Sequence, residues 1–274
     1  MSTLMEMRPA ETPDVIDDAR HASQPGINVI IDIRRVINLL LCIVTTLVIT
    51  GTIANVIIYQ VAPSPEHKLA RLMHRFDLGF EPSLPNWYSS FALLASSGLL
   101  AIIGLAKWRA ADRFFKHWLA LAVIFLGLSI DEGVRMHEMI HTAVVHFVDV
   151  HGILYLQTIV PTLLIVVIIG LCYLPFLKHL ERRTSMLYVC AGAIYVLGAV
   201  GIDVVGGMFI EQQGIASLGH TISQSVEESF EMLGIVLFLY ALLDYIRRLI
   251  GPIRFEVSQS AVPHPAGTTN RGAR

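Results

Sequence analysis

Residues 36–59 read VINLLLCIVTTLVITGTIANVIIY, twenty-four in a row without a charged side chain, directly after Arg34 and Arg35. As a helix rising 1.5 Å per residue, such a run is about 36 Å long and crosses a hydrocarbon core of about 30 Å. Extended chain would leave its N–H and C=O groups unsatisfied in lipid, so the run predicts a membrane-spanning helix.

Five more runs of this kind come after it, and the expected spans are residues 36–59, 87–106, 117–141, 153–176, 186–210 and 226–246. The expected fold class is therefore all-α: a polytopic membrane protein, a bundle of six transmembrane helices occupying residues 28–254. Composition agrees, with 54% hydrophobic and 15% charged residues, where a soluble domain carries about 25% charged. The net charge of -2 and the absence of a long basic run exclude nucleic-acid binding. Lys107, Arg109, Arg113 and Lys116 lie between spans two and three, Lys178, Arg182 and Arg183 between four and five, and Arg247, Arg248 and Arg254 after six. The positive-inside rule makes these ends, and both termini, cytoplasmic. Polar residues 1–27 and the Pro- and Gly-bearing residues 255–274 are expected to be disordered cytoplasmic tails.

Smaller features carry expectations of their own. Lys68, Arg71 and Arg75 alternate with Leu69, Leu72, Met73 and Phe76 at helical spacing, which predicts a short amphipathic helix on the outer membrane surface. Trp87 and Tyr88 at one end of span two, and Trp108 and Trp118 near the other face, fit an aromatic belt. Cys42, Cys172 and Cys190 share no redox or metal spacing and read as small core hydrophobes. The glycines of span five (Gly192, Gly198, Gly201, Gly206 and Gly207) predict close helix contacts.

Span three is anomalous: its apolar part is only thirteen residues, so the helix must continue through SIDEGVRMHEMIH, residues 129–141, to finish crossing. Span six opens on a matching cluster, VEESFEMLG, residues 226–234. From Lys116 to Asp131 is about 22 Å of helix and from Arg247 back to Glu231 about 24 Å, so the two clusters share one depth. Asn55, Asn86, Ser89, Ser90 and Asp203 come out near it too. One polar chamber near the outer face, lined by helices three and six, is the expectation.

Carboxylates and imidazoles on facing helices are what a bundle uses to build a metal site. His137-Glu138-Met139-Ile140-His141 spells the H-E-x-x-H pattern of a helical zinc site, and Glu138 with His141 supplies the Glu-x-x-His element of a di-metal bundle. With one zinc, His137 and His141 are ligands, Glu231 or Glu228 is the third, and Glu138 is the base. With two metals, Glu138, His141, Glu228 and Glu231 are ligands and Asp131 or Glu227 bridges. The expected cofactor is thus a divalent metal, zinc or iron. Two other readings compete. Arg135 can neutralise Asp131, Glu132 or Glu138 in an ordinary ion pair, or Asp131, Glu138 and Glu231 can relay protons in a transporter. A noncatalytic subunit of a membrane complex, with a membrane-protein partner or a second copy of the chain, also suits the small size. The substrate is not readable.

Ser129-Ile130-Asp131-Glu132, His137-Glu138, Glu227-Glu228 with Glu231 and Gly234, and Leu84-Pro85-Asn86-Trp87-Tyr88-Ser89-Ser90 together resemble a group of uncharacterised bacterial multi-spanning membrane proteins sharing S-x-D-E, H-E and E-E-x-x-E motifs. The resemblance covers spans two, three and six. It implies a multi-pass protein of the bacterial inner membrane in which both acidic clusters matter jointly. H-E-x-x-H intramembrane metalloproteins are similar in that motif alone: the site-2 type adds Asp-Gly, and here Asp203 is followed by Val204. The CAAX-protease-like type adds E-E-x-x-x-R, and Met232 stands at the Arg position.

Overall fold

The computed structural model describes residues 29–30, 32–61, 68–79, 83–134, 156–250 and 254–255. In chain order the helices are α1 (Ile33–Val56), continued by a π-helical turn at Ile57–Val61, then α2 (Lys68–Met73), α3 (Leu84–Arg109), α4 (Phe115–Val134) and α5 (Leu156–His179). They are followed by α6 (Arg182–Val196), a second π-helical stretch at Leu197–Ile202, α7 (Asp203–Gln213) and α8 (Leu218–Ile250). Six helical stretches are long and apolar enough to cross a membrane: Ile33–Val61, Leu84–Arg109, Phe115–Val134, Thr162–His179, Arg182–Gln213 and Leu218–Leu249. The all-α six-helix expectation holds, and the chain is a multi-pass membrane protein. The third expected span runs beyond Val134 into residues outside the described ones. In a separate small unit, β1 (Val29–Ile30) and β2 (Arg254–Phe255) pair antiparallel, Val29 opposite Phe255 and Ile30 opposite Arg254.

Local chemistry starts and protects these helices. Asp32 caps α1 by accepting the Arg34 N–H at 3.0 Å. Ser83 caps α3 through the Asn86 N–H, with Pro85 in the first turn where its missing donor costs nothing. Thr45, Thr46 and Thr50 return their hydroxyls to carbonyls one turn back, at 2.7–2.8 Å, so α1 shows lipid no unsatisfied hydroxyl there.

The bundle is organised around α8. Of the most apolar window of that span 61% is buried inside the protein, against 6% for the span carried by α5. Helices α3 and α4 form a tight hairpin in which Ser90 and Ser129 exchange hydrogen bonds with each other's carbonyls at 2.8 and 2.9 Å. Further along, Ser97 donates to the Ala122 carbonyl at 2.7 Å. Lipid tails are as apolar as leucine, so such small-residue contacts and interhelical hydrogen bonds are what hold membrane helices together.

Helices α6 and α8 approach backbone to backbone. A Cβ placed on Gly234 would lie 2.9 Å from the backbone nitrogen of Tyr195 and 3.0 Å from its Cα. Of the span-five glycines, Gly198 meets α8 in the same way, whereas Gly192 faces open space.

Some expectations about surfaces are corrected. Cys42, Cys172 and Cys190 are exposed on the outside of the bundle rather than in its core, on faces that lipid covers. Trp87 and Trp108 are exposed as a belt requires, but Trp118 is buried, stacked on Tyr245 at 5.0 Å and edge-on to Phe176 at 5.0 Å. Near the arginine-rich end of α8, buried Asp244 accepts from Arg247 at 2.9 Å and from Arg248, with Arg183 at 3.7 Å. One carboxylate ringed by guanidinium groups removes the cost of burying it alone.

The α3–α4 turn is held by Asp112. Partial burial pushes its carboxyl up, but the Phe114 N–H at 2.8 Å and Lys107 at 3.3 Å outweigh that and hold it below the usual carboxylate range. The stabilisation is complete above the carboxyl's unfolded value and is lost as pH falls through the lower folded one. Asp112→Asn is expected to flatten the acid-side fall of melting temperature in detergent. In the same assay Gly234→Ala is expected to lower stability by about 1–3 kcal/mol through overpacking, while Gly192→Ala leaves it unchanged or slightly raised.

Candidate functional site

About 20–26 Å along α8 from Asp244, the helix carries Glu231, Glu228 and Glu227. The Tyr195 side chain, at the end of α6, lies beside the Glu231 carboxylate. Glu132 of α4 lies within electrostatic range of both Tyr195 and Glu231, and Glu228 within range of Tyr195. Asp203, the first residue of α7, lies within range of Glu227 and Glu231. Four helices thus deliver acids or a phenol to one place, and all of these side chains are partly buried.

Backbone geometry makes the convergence possible. A Cβ on Gly198 would stand 2.8 Å from the Glu227 carbonyl oxygen, 2.9 Å from Phe230 Cβ and 3.2 Å from Glu231 Cγ, so hydrogen at that position lets span five press onto the acidic turn of α8. The π-helical stretch Leu197–Ile202 lies between Tyr195 and Asp203; such wide turns shift the angular register of the residues beyond them and recur at functional sites. Asn86 Nδ2 donates to the Glu132 carbonyl at 2.5 Å and ties the end of α4 to α3.

Charge balance defines what the site can do. No Lys or Arg occurs anywhere from Thr184 to Ile246, so α6 beyond Arg183, α7 and this half of α8 bring the acids no basic side chain of that kind. Carboxylates at this depth call for a metal ion, protons or a base from another segment.

Of the sequence-predicted residues, Glu227, Glu228 and Glu231 are brought together, and Asp131 is partly buried on α4 beside Glu132. Glu132 is the α4 acid set against Glu231. His137, Glu138 and His141, with Arg135, lie outside the described residues. Among the described residues no group of three or more His, Cys, Asp or Glu is arranged to hold a metal ion. Tyr195 is the member that sequence reasoning passed over. Its depth, about 18 Å of helix from Arg183, approaches that of Glu231 and was the signal that could have found it. Asp203 had that signal, and its proximity to Glu227 agrees with it.

A second polar layer joins the site one turn away. Asn55 of α1, fully buried, donates to Gln224 of α8 at 3.1 Å and accepts the Leu78 N–H at 3.2 Å. Buried Asp77 accepts the Gly79 N–H at 3.0 Å and pairs with His74 at 3.2 Å. Leu78 inserts against Gly51 and packs with Val44, Met232 and Val236. The Gln224 amide fills the space where a Gly79 Cβ would project. The expected surface-lying helix is therefore only partly correct: Lys68, Arg71 and Arg75 are exposed, but the chain then turns inward and is bolted to α1 and α8. Burying Asp77 and Leu78 in specific partners outweighs the amphipathic pattern of the preceding turn.

Residues 40–245, well over half of the chain, match the family model described as Domain of unknown function (DUF8692). No curated protein and no solved structure matches the chain.

The latch has a direct test. Asn55→Leu leaves the Gln224 amide and the Leu78 N–H without their partner, at about 1–3 kcal/mol for a buried polar group left unsatisfied. Hydrogen exchange over residues 68–79 is expected to accelerate in this variant and to stay unchanged in Lys68→Ala.

Proposed function

We propose, from the premise that the chain belongs to the DUF8692 family, that its working centre is the carboxylate chamber of α4, α6, α7 and α8, and that this chamber binds a divalent cation. The observation that carries the reading is that Glu132 of α4, Asp203 of α7 and Glu227 of α8 all lie within electrostatic range of Glu231. The surrounding stretch, residues 184–246, supplies no Lys or Arg. An ionised carboxylate within a membrane span costs about 2.5–3.5 kcal/mol on insertion scales, and several together call for a counterion.

In this reading His137, Glu138 and His141 complete the donor set from the end of span three, and Asp131 and Glu228 lie at its edge. Zinc there would generate a nucleophilic water with Glu138 as base, and a pair of irons would support redox chemistry. The protein is then a metal-dependent enzyme of the bacterial inner membrane, with its Lys- and Arg-rich ends in the cytoplasm. The resemblance carried by S-x-D-E, H-E and E-E-x-x-E supports the joint use of both clusters.

A second reading is favoured by one neighbour. A tyrosine beside a carboxylate that stands among other carboxylates can share a proton with it, so Tyr195 and Glu231 suit a proton-coupled transporter.

Metal content separates the two. Protein purified without added metal is expected to hold about one zinc or two irons per chain by elemental mass spectrometry. The metal is expected to fall away in the Glu227→Gln, Glu231→Gln double variant and to stay in Tyr195→Phe. A well-folded wild type that holds none, and takes up none when zinc or iron is supplied, would overturn the metal reading. Loss of proton flux in Tyr195→Phe liposomes would then establish the relay.

A further inference from the structure

The arginine-rich end of the bundle holds a cavity of about 240 Å³, between the ends of α3, α4, α5 and α8. That is below the roughly 300–1,000 Å³ of pockets that enclose drug-sized molecules, so its occupant is small. Two ion pairs build the walls: Lys107 with Asp112 at 3.3 Å, and Arg248 with Glu181 at 3.1 Å. Trp118 and Tyr245 stand with them in the lining, and the Lys107 ammonium lies 5.8 Å from the centre of the Tyr245 ring.

Both signs of charge therefore face one small space. A bare anion there meets Asp112 and Glu181, and a bare cation meets Lys107 and Arg248. Only a group that carries both charges is matched on both sides. The carbonyl ends of α3 and α5 add negative partial charge, and the aromatic faces attract cations, so the ammonium half of such a group is favoured as well as the phosphate half. Carboxylates accept hydrogen bonds, which a primary ammonium can give and a quaternary one cannot.

The site is held from behind. Arg248 uses one nitrogen on buried Asp244 and the other on Glu181. Its pair with Glu181 is on the exposed rim, at 30% and 69% side-chain exposure, where ion pairs are weak and easily opened. An incoming phosphate can take Arg248 and Lys107 while the ammonium takes Glu181 and Asp112, leaving every charge paired.

We propose that this cavity binds a zwitterionic phosphate–ammonium group of the phosphoethanolamine class, carried by a phospholipid of the surrounding bilayer. The proposal is independent of the metal reading, since it uses none of the chamber's residues.

The test is lipid retention in native mass spectrometry after release from nanodiscs made of equal parts phosphatidylethanolamine, phosphatidylcholine and phosphatidylglycerol. Wild type is expected to keep phosphatidylethanolamine with about a tenfold preference over each of the others. The Lys107→Met, Arg248→Met double variant is expected to lose that preference. Arg113→Met is expected to keep it, because that guanidinium lies on the Phe114 ring and is not in the cavity lining. Equal retention of the three lipids by folded wild type, or preference for phosphatidylglycerol, overturns the proposal even if the double variant fails to fold. Displacement of the lipid by soluble phosphoethanolamine at equal concentration would keep the chemistry but overturn the bilayer as its source.

Discussion

The contact on which the rest of the bundle depends is that between the backbones of α6 and α8. With Gly234 against Tyr195 and Gly198 against the Glu227–Glu231 turn, the two helices approach more closely than side chains ordinarily permit. In lipid there is no solvent-driven force between helices, so dispersion at such close approach does much of the work. The same contact brings Tyr195 beside Glu231. Packing and site chemistry are therefore one constraint, and an added methyl at either glycine disturbs both.

Helix α8 pairs this arrangement with its opposite. At one end it gathers acids on a stretch without Lys or Arg; at the other, Arg183, Arg247 and Arg248 surround Asp244. Buried Asp244 is satisfied within the protein by Arg247 and Arg248. The acidic end is where neutralisation has to come from protons, a cation or another segment.

Between α1 and α3 the chain folds back into the bundle through Asp77 and Leu78 and meets α8 at Gln224, one turn before Glu227. The latch thereby ties the loop after span one to the turn that carries the acids. Each of its polar groups has a partner, as a buried network must if it is to specify one structure. The arrangement gives the chamber a rigid shoulder made from residues far apart in the chain.

Six helices and the all-α class were legible in the sequence, because the apolar runs at Val36–Tyr59 and after it obey a requirement of the bilayer that no tertiary contact can waive. So was the level at which Glu132 meets the acids of α8, since rise per residue is fixed in any helix. What tertiary structure decided was direction around each helix axis. Glu132 rather than its neighbour Asp131 is set against Glu231, Tyr195 joins the acids, Trp118 turns inward, and Cys42, Cys172 and Cys190 turn outward. Azimuth depends on which faces small residues allow to touch and on the π-helical stretch at Leu197–Ile202, which changes register between Tyr195 and Asp203. The inward turn at Asp77 escaped the sequence for a related reason: its partners Asn55 and Gln224 lie on two other helices, and no local pattern announces a hydrogen bond that spans 169 residues.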